Sequence, residues 1–129
     1  MSLCYKVTST FRPGEGKAGK RIWFPKLTGS SQINLHEVAK ILQKRSSANE
    51  SDVYLIVKGL VQLIPELLTE GYTVKLDELG TFRLHAKVET NEDPKKVSVR
   101  NIKELRLSFR PDNRIKEELK NVSIKPEKT

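Results

Sequence analysis

Residues 73–88 read TVKLDELGTFRLHAKV and residues 105–111 read LRLSFRP; these two stretches decide the fold. Val74 and Leu76 alternate with polar neighbours, and so do Phe82, Leu84, Ala86 and Val88. Alternation over a short run marks a strand with one buried face. Asp77-Glu78-Leu79-Gly80 between the two runs marks the turn of a β-hairpin. Gly80 is expected to hold a backbone conformation closed to residues with a Cβ. After a polar stretch at residues 89–96, alternation resumes at Val97 and Val99, and again at Leu105, Leu107 and Phe109. It predicts a further strand ending at Arg110-Pro111-Asp112-Asn113, with Phe82 and Phe109 pointing from neighbouring strands into one aromatic–aliphatic core.

Upstream, the periodicity changes from two to that of a helix. Asn34 followed by Glu37 has the spacing of an N-cap and its partner. Leu35, Val38, Ala39, Ile41 and Leu42 then share a face, and the helix should stop near residues 45–47. Asn49 opens a second helix with acidic side chains in its first turn, where they complement the helix dipole. This helix carries Ile56, Val57, Leu60, Val61, Ile64, Leu67 and Leu68, an apolar face broad enough to serve a second subunit as well as its own chain. Pro65 should bend it or remove a hydrogen bond, and Gly71 should end it. A short helix with Ile115, Leu119 and Val122 follows the last strand; residues 123–129 read as a flexible tail.

The first 33 residues follow a strand pattern of their own. Tyr5, Val7, Ser9 and Phe11 alternate with Lys6, Thr8, Thr10 and Arg12; a second strand resumes around Ile22, Trp23 and Phe24 after a glycine-rich turn. Pro25 places that second strand at a sheet edge, since proline has no amide to donate.

Composition sets the outer bounds. Among 129 residues, 31% are charged and 36% hydrophobic, too few apolar side chains for a well-filled monomeric core, so a second subunit is expected to complete it. A net charge of +8 points to a polyanionic partner. No stretch approaches the roughly 18 apolar residues that cross a bilayer. Met1-Ser2-Leu3-Cys4-Tyr5 lacks the basic and apolar regions of a signal peptide, so a cytoplasmic location is expected. The single cysteine, Cys4, fits a reducing compartment.

The order of helix, helix, hairpin, polar-tipped β-arm and short helix resembles the bacterial HU and integration-host-factor family. Leu79-Gly80-Thr81-Phe82 is similar to that family's glycine-turn-phenylalanine segment, and Leu107-Ser108-Phe109-Arg110-Pro111 to its strand-ending segment; Gly71 sits where the family ends a helix. The resemblance covers about residues 34–122. Residues 1–33 resemble the strand-rich extension of HU-like proteins of the Bacteroidetes type. The expected fold class is therefore α+β: an HU-like domain at residues 34–122 with a protruding β-arm, preceded by an extra β-hairpin packed on it, in an intertwined dimer.

The resemblance implies a non-catalytic, histone-like protein of the nucleoid that grips double-stranded DNA with weak sequence preference. Phe82, Phe109, Leu60 and Ile64 would form the core of a homodimer. Pro94 would be the wedge that kinks the duplex, with Lys95 and Lys96 on phosphates and Arg83, Lys87, Arg100, Lys103 and Arg106 along the same path. Two features stand against a strongly basic arm. Residues 83–107 hold seven Lys or Arg against four Asp or Glu, and Glu92 and Asp93 directly precede Pro94, which reads equally as a turn residue. The N-terminal extension is more basic, and Arg12, Lys17, Lys20 and Arg21 are a second candidate DNA surface; the alternative is a hairpin that covers a sheet edge.

No catalytic or metal constellation is expected. His36 and His85 lie on different elements without a cysteine cluster or paired carboxylates, and no cofactor, small-molecule substrate or membrane is called for. Gly14-Glu15-Gly16-Lys17-Ala18-Gly19 lacks the Gly-Lys-Ser/Thr ending of a phosphate loop. An RNA-binding module and an HU-like scaffold for a protein partner are the competing readings.

Overall fold

The computed structural model describes residues 2–14, 19–29 and 31–127. The chain divides into two compact units, one formed by residues 1–32 with 118–129 and the other by Ile33–Glu117.

The first unit is a three-stranded sheet. β1 (Ser2–Phe11) pairs antiparallel with β2 (Arg21–Thr28), and Pro25 lies on that outer strand as its missing amide requires. The other edge of β1 is taken by the end of the chain. Residues 123–126, expected as part of a flexible tail, form a strand here called β6 (Ser123–Pro126), parallel to β1 with Leu3 opposite Ile124. Glu127 extends the pairing by donating its amide to the Tyr5 carbonyl at 2.8 Å. The physical reason is the open edge of β1, whose amides and carbonyls need partners. Four residues are too few to display alternation by themselves.

The second unit begins with two helices whose caps match their sequence signals. The Asn34 side chain accepts the Glu37 amide at the start of α1 (Leu35–Lys44), and Asn49 accepts the Asp52 amide at the start of α2 (Glu50–Thr69). α2 continues through Pro65, which lacks one backbone donor. Gly71 ends the helix with φ +100°: its amide bonds the Leu68 carbonyl while the Tyr72 amide reaches back to Leu67. That pair of bonds is the Schellman arrangement, which needs the left-handed conformation glycine adopts freely.

β3 (Val74–Leu76), β4 (Gly80–Val88) and β5 (Ile102–Pro111) form an antiparallel sheet in that order. α3 (Asn113–Lys120) follows β5. Two readings need correction here. Gly80 does not use glycine's φ freedom; the left-handed residue of the turn is Glu78, at φ 72°. Glycine is needed at 80 for space, because a Cβ there would lie 2.5 Å from the Arg110 carbonyl oxygen and 2.5 Å from the Phe109 ring. The Glu78 backbone is held by Asp112, whose carboxylate accepts its amide, and its side chain pairs with Arg114.

The second correction concerns Val97 and Val99, which are not in a strand. Residues 94–101 instead make two short 3₁₀ turns, Pro94–Lys96 and Val99–Asn101. Asp93 caps the first by accepting the Lys95 amide, and Ser98 and Asn101 cap the second reciprocally. These short polar side chains satisfy the backbone locally and outcompete a longer β ladder.

One face of β4 and β5 is apolar, with Phe82 opposite Phe109, Leu84 opposite Leu107 and Ala86 opposite Leu105. Together with Val61, Ile64, Pro65 and Leu68 of α2, Phe82, Leu84 and Leu107 line an apolar groove of about 420 Å³. Among the described residues only Ala39 and Leu68 are buried hydrophobics.

Candidate nucleic-acid interface

Alternation along β4 and β5 sends the other set of side chains to the opposite face. Thr81, Arg83, His85 and Lys87 on β4 face the same way as Arg110, Ser108, Arg106 and Glu104, their register partners on β5. This face has a polar pocket of about 210 Å³ lined by Thr81, Arg83, His85, Ser108 and Arg110. His85 Nε2 lies 2.8 Å from Ser108 Oγ, and that hydroxyl reaches the Arg83 carbonyl at 3.3 Å. A second recess of about 290 Å³ continues past Arg110 to Lys75 and Lys116.

The cations of the hairpin differ in how they are paired. Arg106 is bonded to Glu104 at 2.7 Å, and Lys103 pairs with Glu89. The side chains of Arg83 and Arg110 have no acidic partner among the described residues. Exposed ion pairs are worth about 1 kcal/mol or less, but each offsets a positive charge that a polyanion would otherwise meet. Unpaired positive charge is therefore present at the base of the hairpin, on Arg83 and Arg110. Lys87, Lys95, Lys96 and Arg100 also lack an acidic partner among the described residues, although Glu92 and Asp93 stand next to the first turn of the tip.

Pro94 is exposed and occupies the first position of its 3₁₀ turn, after the half-buried Asp93 cap. At the far end of β5, Phe82 and Phe109 have ring centroids 4.8 Å apart. Ile64 joins Phe82 along the apolar groove, and Leu60, one turn earlier on α2, is 42% exposed. In the first unit, the Arg21 guanidinium lies over the Phe11 ring, 5.5 Å from its centroid, while Arg12 and Lys20 are exposed. Lys17 lies outside the described residues. Trp23 is 64% exposed and Phe24 40%.

Sequence reasoning missed Thr81, Ser108 and Arg110 as members of the polar face. The signal was present: each is one residue from Phe82 or Phe109, so each must point away from the apolar face.

Comparison with known families decides the assignment. The model of the HU-HIG family, described as an HU domain fused to wHTH, Ig, or Glycine-rich motif, matches residues 1–126. The chain belongs to the HU-HIG family.

Two solved structures share its fold. A putative bacterial DNA-binding protein from Bacteroides vulgatus superposes with a TM-score of 0.66 at 11% identity, over 99% of this chain and 50% of that one. This HU-HIG chain thus spans about half the length of the Bacteroides protein. The HU protein of an Anabaena HU–DNA cocrystal structure superposes with a TM-score of 0.55 at 17% identity, over 69% of this chain and 99% of that one. No curated protein matches the HU-HIG chain. Among its described residues, no cluster of three or more His, Cys, Asp or Glu is placed to hold a metal ion, and no helix is long and apolar enough to cross a membrane.

Proposed function

We propose that this chain is a non-catalytic, architectural double-stranded DNA-binding protein of the nucleoid, acting as a homodimer in the cytoplasm. The observation that carries this reading is the two-faced sheet of β4 and β5. One face turns Phe82, Leu84 and Leu107 towards α2, and the other holds unpaired Arg83 and Arg110 over a polar pocket. Membership of the HU-HIG family supports it, as does the shared fold with the HU protein of the Anabaena DNA cocrystal structure.

The grip is electrostatic. Arginine and lysine on backbone phosphates release counterions, so binding weakens as salt rises and depends little on sequence. Arg83, Lys87 and Arg110 contribute from the hairpin base, and Lys95, Lys96 and Arg100 from the tip. Lys103 and Arg106 must exchange a carboxylate for a phosphate to join them. Pro94 is the candidate wedge for bending the duplex. Arg12, Lys17, Lys20 and Arg21 add a second contact surface from residues 1–33, which extend an HU-like domain at residues 34–122.

The homodimer is supported by what the single chain leaves uncovered. Separately folded units of these two sizes would expose roughly 8,000 Å² between them, whereas the chain exposes 11514 Å². Leu60, Ile64, Phe82 and Phe109 are the proposed shared core.

A second reading is a scaffold whose tip meets a protein partner. It is favoured by Val97 and Val99, 57% and 78% exposed, beside the acids Glu92 and Asp93. Titrating the protein into labelled duplex DNA separates the two. Affinity no better than a generic basic surface gives would favour the scaffold, and tight salt-dependent binding the DNA grip.

A further inference from the structure

We infer that the apolar face of the first unit's sheet is a second contact surface between copies of this chain, packed face to face with the same sheet of its partner. This rests on the homodimer reading and adds to it an interface separate from Leu60, Ile64, Phe82 and Phe109.

Alternation sorts the residues of this sheet onto two unlike faces. On one, Tyr5 stands opposite Leu27, Val7 opposite Pro25 and Ser9 opposite Trp23, with Ile124 of β6 beside Leu3. Tyr5, Val7, Trp23, Pro25, Leu27 and Ile124 line an open groove of about 680 Å³. The reverse face carries Lys6, Lys26 and Lys125.

A sheet with one apolar face has to bury it against another element. Among the described residues the first unit holds its three strands and the end of α3, with no second layer to lie over them. Val7 shows the consequence: it sits on the central strand, flanked on both sides, and is still 64% exposed. Leu3, Trp23, Leu27 and Ile124 are 44% to 64% exposed. With Val7 they leave roughly 500 Å² open, so two such faces reach the roughly 1,000 Å² of a specific interface before Tyr5 and Pro25 are added.

Charge selects a second copy as the occupant. The net charge of +8 sets two copies against each other over most of their surfaces. On this face the one charged side chain among the described residues is Arg21, whose guanidinium already lies over the Phe11 ring. Two copies therefore meet here without like charges opposed in the groove, and a two-fold axis makes the surface its own complement. An acidic partner would be drawn to the reverse face instead. Trp23 supplies the large, flat side chain that most often anchors an interface.

Trp23 is also the chain's single tryptophan, so its emission reports on this face alone. The test is the fluorescence of the full chain over a dilution series, with sedimentation velocity at the same concentrations. The emission is expected to be that of a shielded indole at high concentration and to move to longer wavelength on dilution, as the sedimenting mass falls. Leu27→Lys, at an exposed position opposite Tyr5, is expected to raise the midpoint of that shift about tenfold or more. Lys26→Gln, on the reverse face, is expected to leave it in place. Circular dichroism at each concentration checks that the variants fold, and the wild-type series decides the matter without them. A constant wild-type emission in a protein whose mass still changes with concentration overturns the inference and leaves the homodimer standing. A constant long-wavelength value means a face open to solvent or to another class of partner, and a constant short-wavelength value a face shielded without a second copy. A midpoint in folded Leu27→Lys equal to that of the wild type overturns it as well. A monomeric mass at every concentration overturns the homodimer reading, and this interface with it.

Discussion

Phe82 and Phe109 are register partners on β4 and β5 with ring centroids 4.8 Å apart, yet Phe109 remains 44% exposed in the single chain. Aromatic pairs in folded cores are normally closed over by neighbours. Here the neighbour on the proposed account is a second copy, and Ile64 and Leu60 on α2 extend the same uncovered region.

The melting temperature should therefore rise with protein concentration, as it does when folding and association are one event. Ile64→Asp places a charge in the apolar groove and should convert a dimer into a monomer or an unfolded chain. Sedimentation velocity checks the first outcome and circular dichroism the second. A concentration-independent melt with a monomeric mass would remove the dimer from the account.

Gly71 and Gly80 should respond differently to the same substitution. Gly71 needs a left-handed backbone and has no heavy atom within 4 Å of a built Cβ. Asparagine, which tolerates that conformation, should be accepted there at little cost, while alanine costs about 1 kcal/mol. Gly80 needs space instead. Gly80→Ala drives a methyl group into the Arg110 carbonyl and the Phe109 ring and should cost about 1–3 kcal/mol, and asparagine should be no better. Denaturant melts of the four variants give the comparison.

The pairing of cations predicts a ranking of DNA-binding variants. Arg83→Gln with Arg110→Gln removes two unpaired charges and should lower affinity more than Lys103→Gln with Arg106→Gln, whose charges are already offset by Glu89 and Glu104. The slope of log affinity against log salt should become shallower by about 0.9 for each phosphate that the variant no longer neutralises. Equal effects of the two double variants would show that the local ion pairs do not matter.

The tip of the hairpin should depend on its side-chain caps. Ser98→Ala with Asp93→Ala removes the acceptors that hold both 3₁₀ turns and should raise amide exchange across residues 94–101, while the global melt moves little. Unchanged exchange there would mean that the backbone is held by something else.

Much of this architecture is legible along the chain because its signals are local. Asn34 and Asn49 announce their helices, Gly71 its Schellman turn, Pro25 an edge strand, and the alternation through Phe82 and Phe109 one sheet face. What escapes a reading of the sequence is non-local or a contest between local options. β6 pairs with β1 from the opposite end of the chain, and nothing within four residues encodes that partner. At Val97 and Val99 the apolar alternation is real, but Asp93, Ser98 and Asn101 offer the backbone nearer hydrogen bonds. Gly80 stands out in the sequence as a special position, but its reason is steric, and the approach of Phe109 is visible only once β5 is in place. The same holds for the candidate interface: Arg83 can be named from the sequence, but its unpaired state beside Arg110 and the pairing of Arg106 with Glu104 require coordinates.

The most direct test of the central claim is titration of the purified chain into a fluorescently labelled duplex of about 30 base pairs at two salt concentrations. The account predicts tight binding at low salt that weakens steeply as salt rises, with little dependence on the sequence of the duplex. Absence of binding at low salt would contradict it.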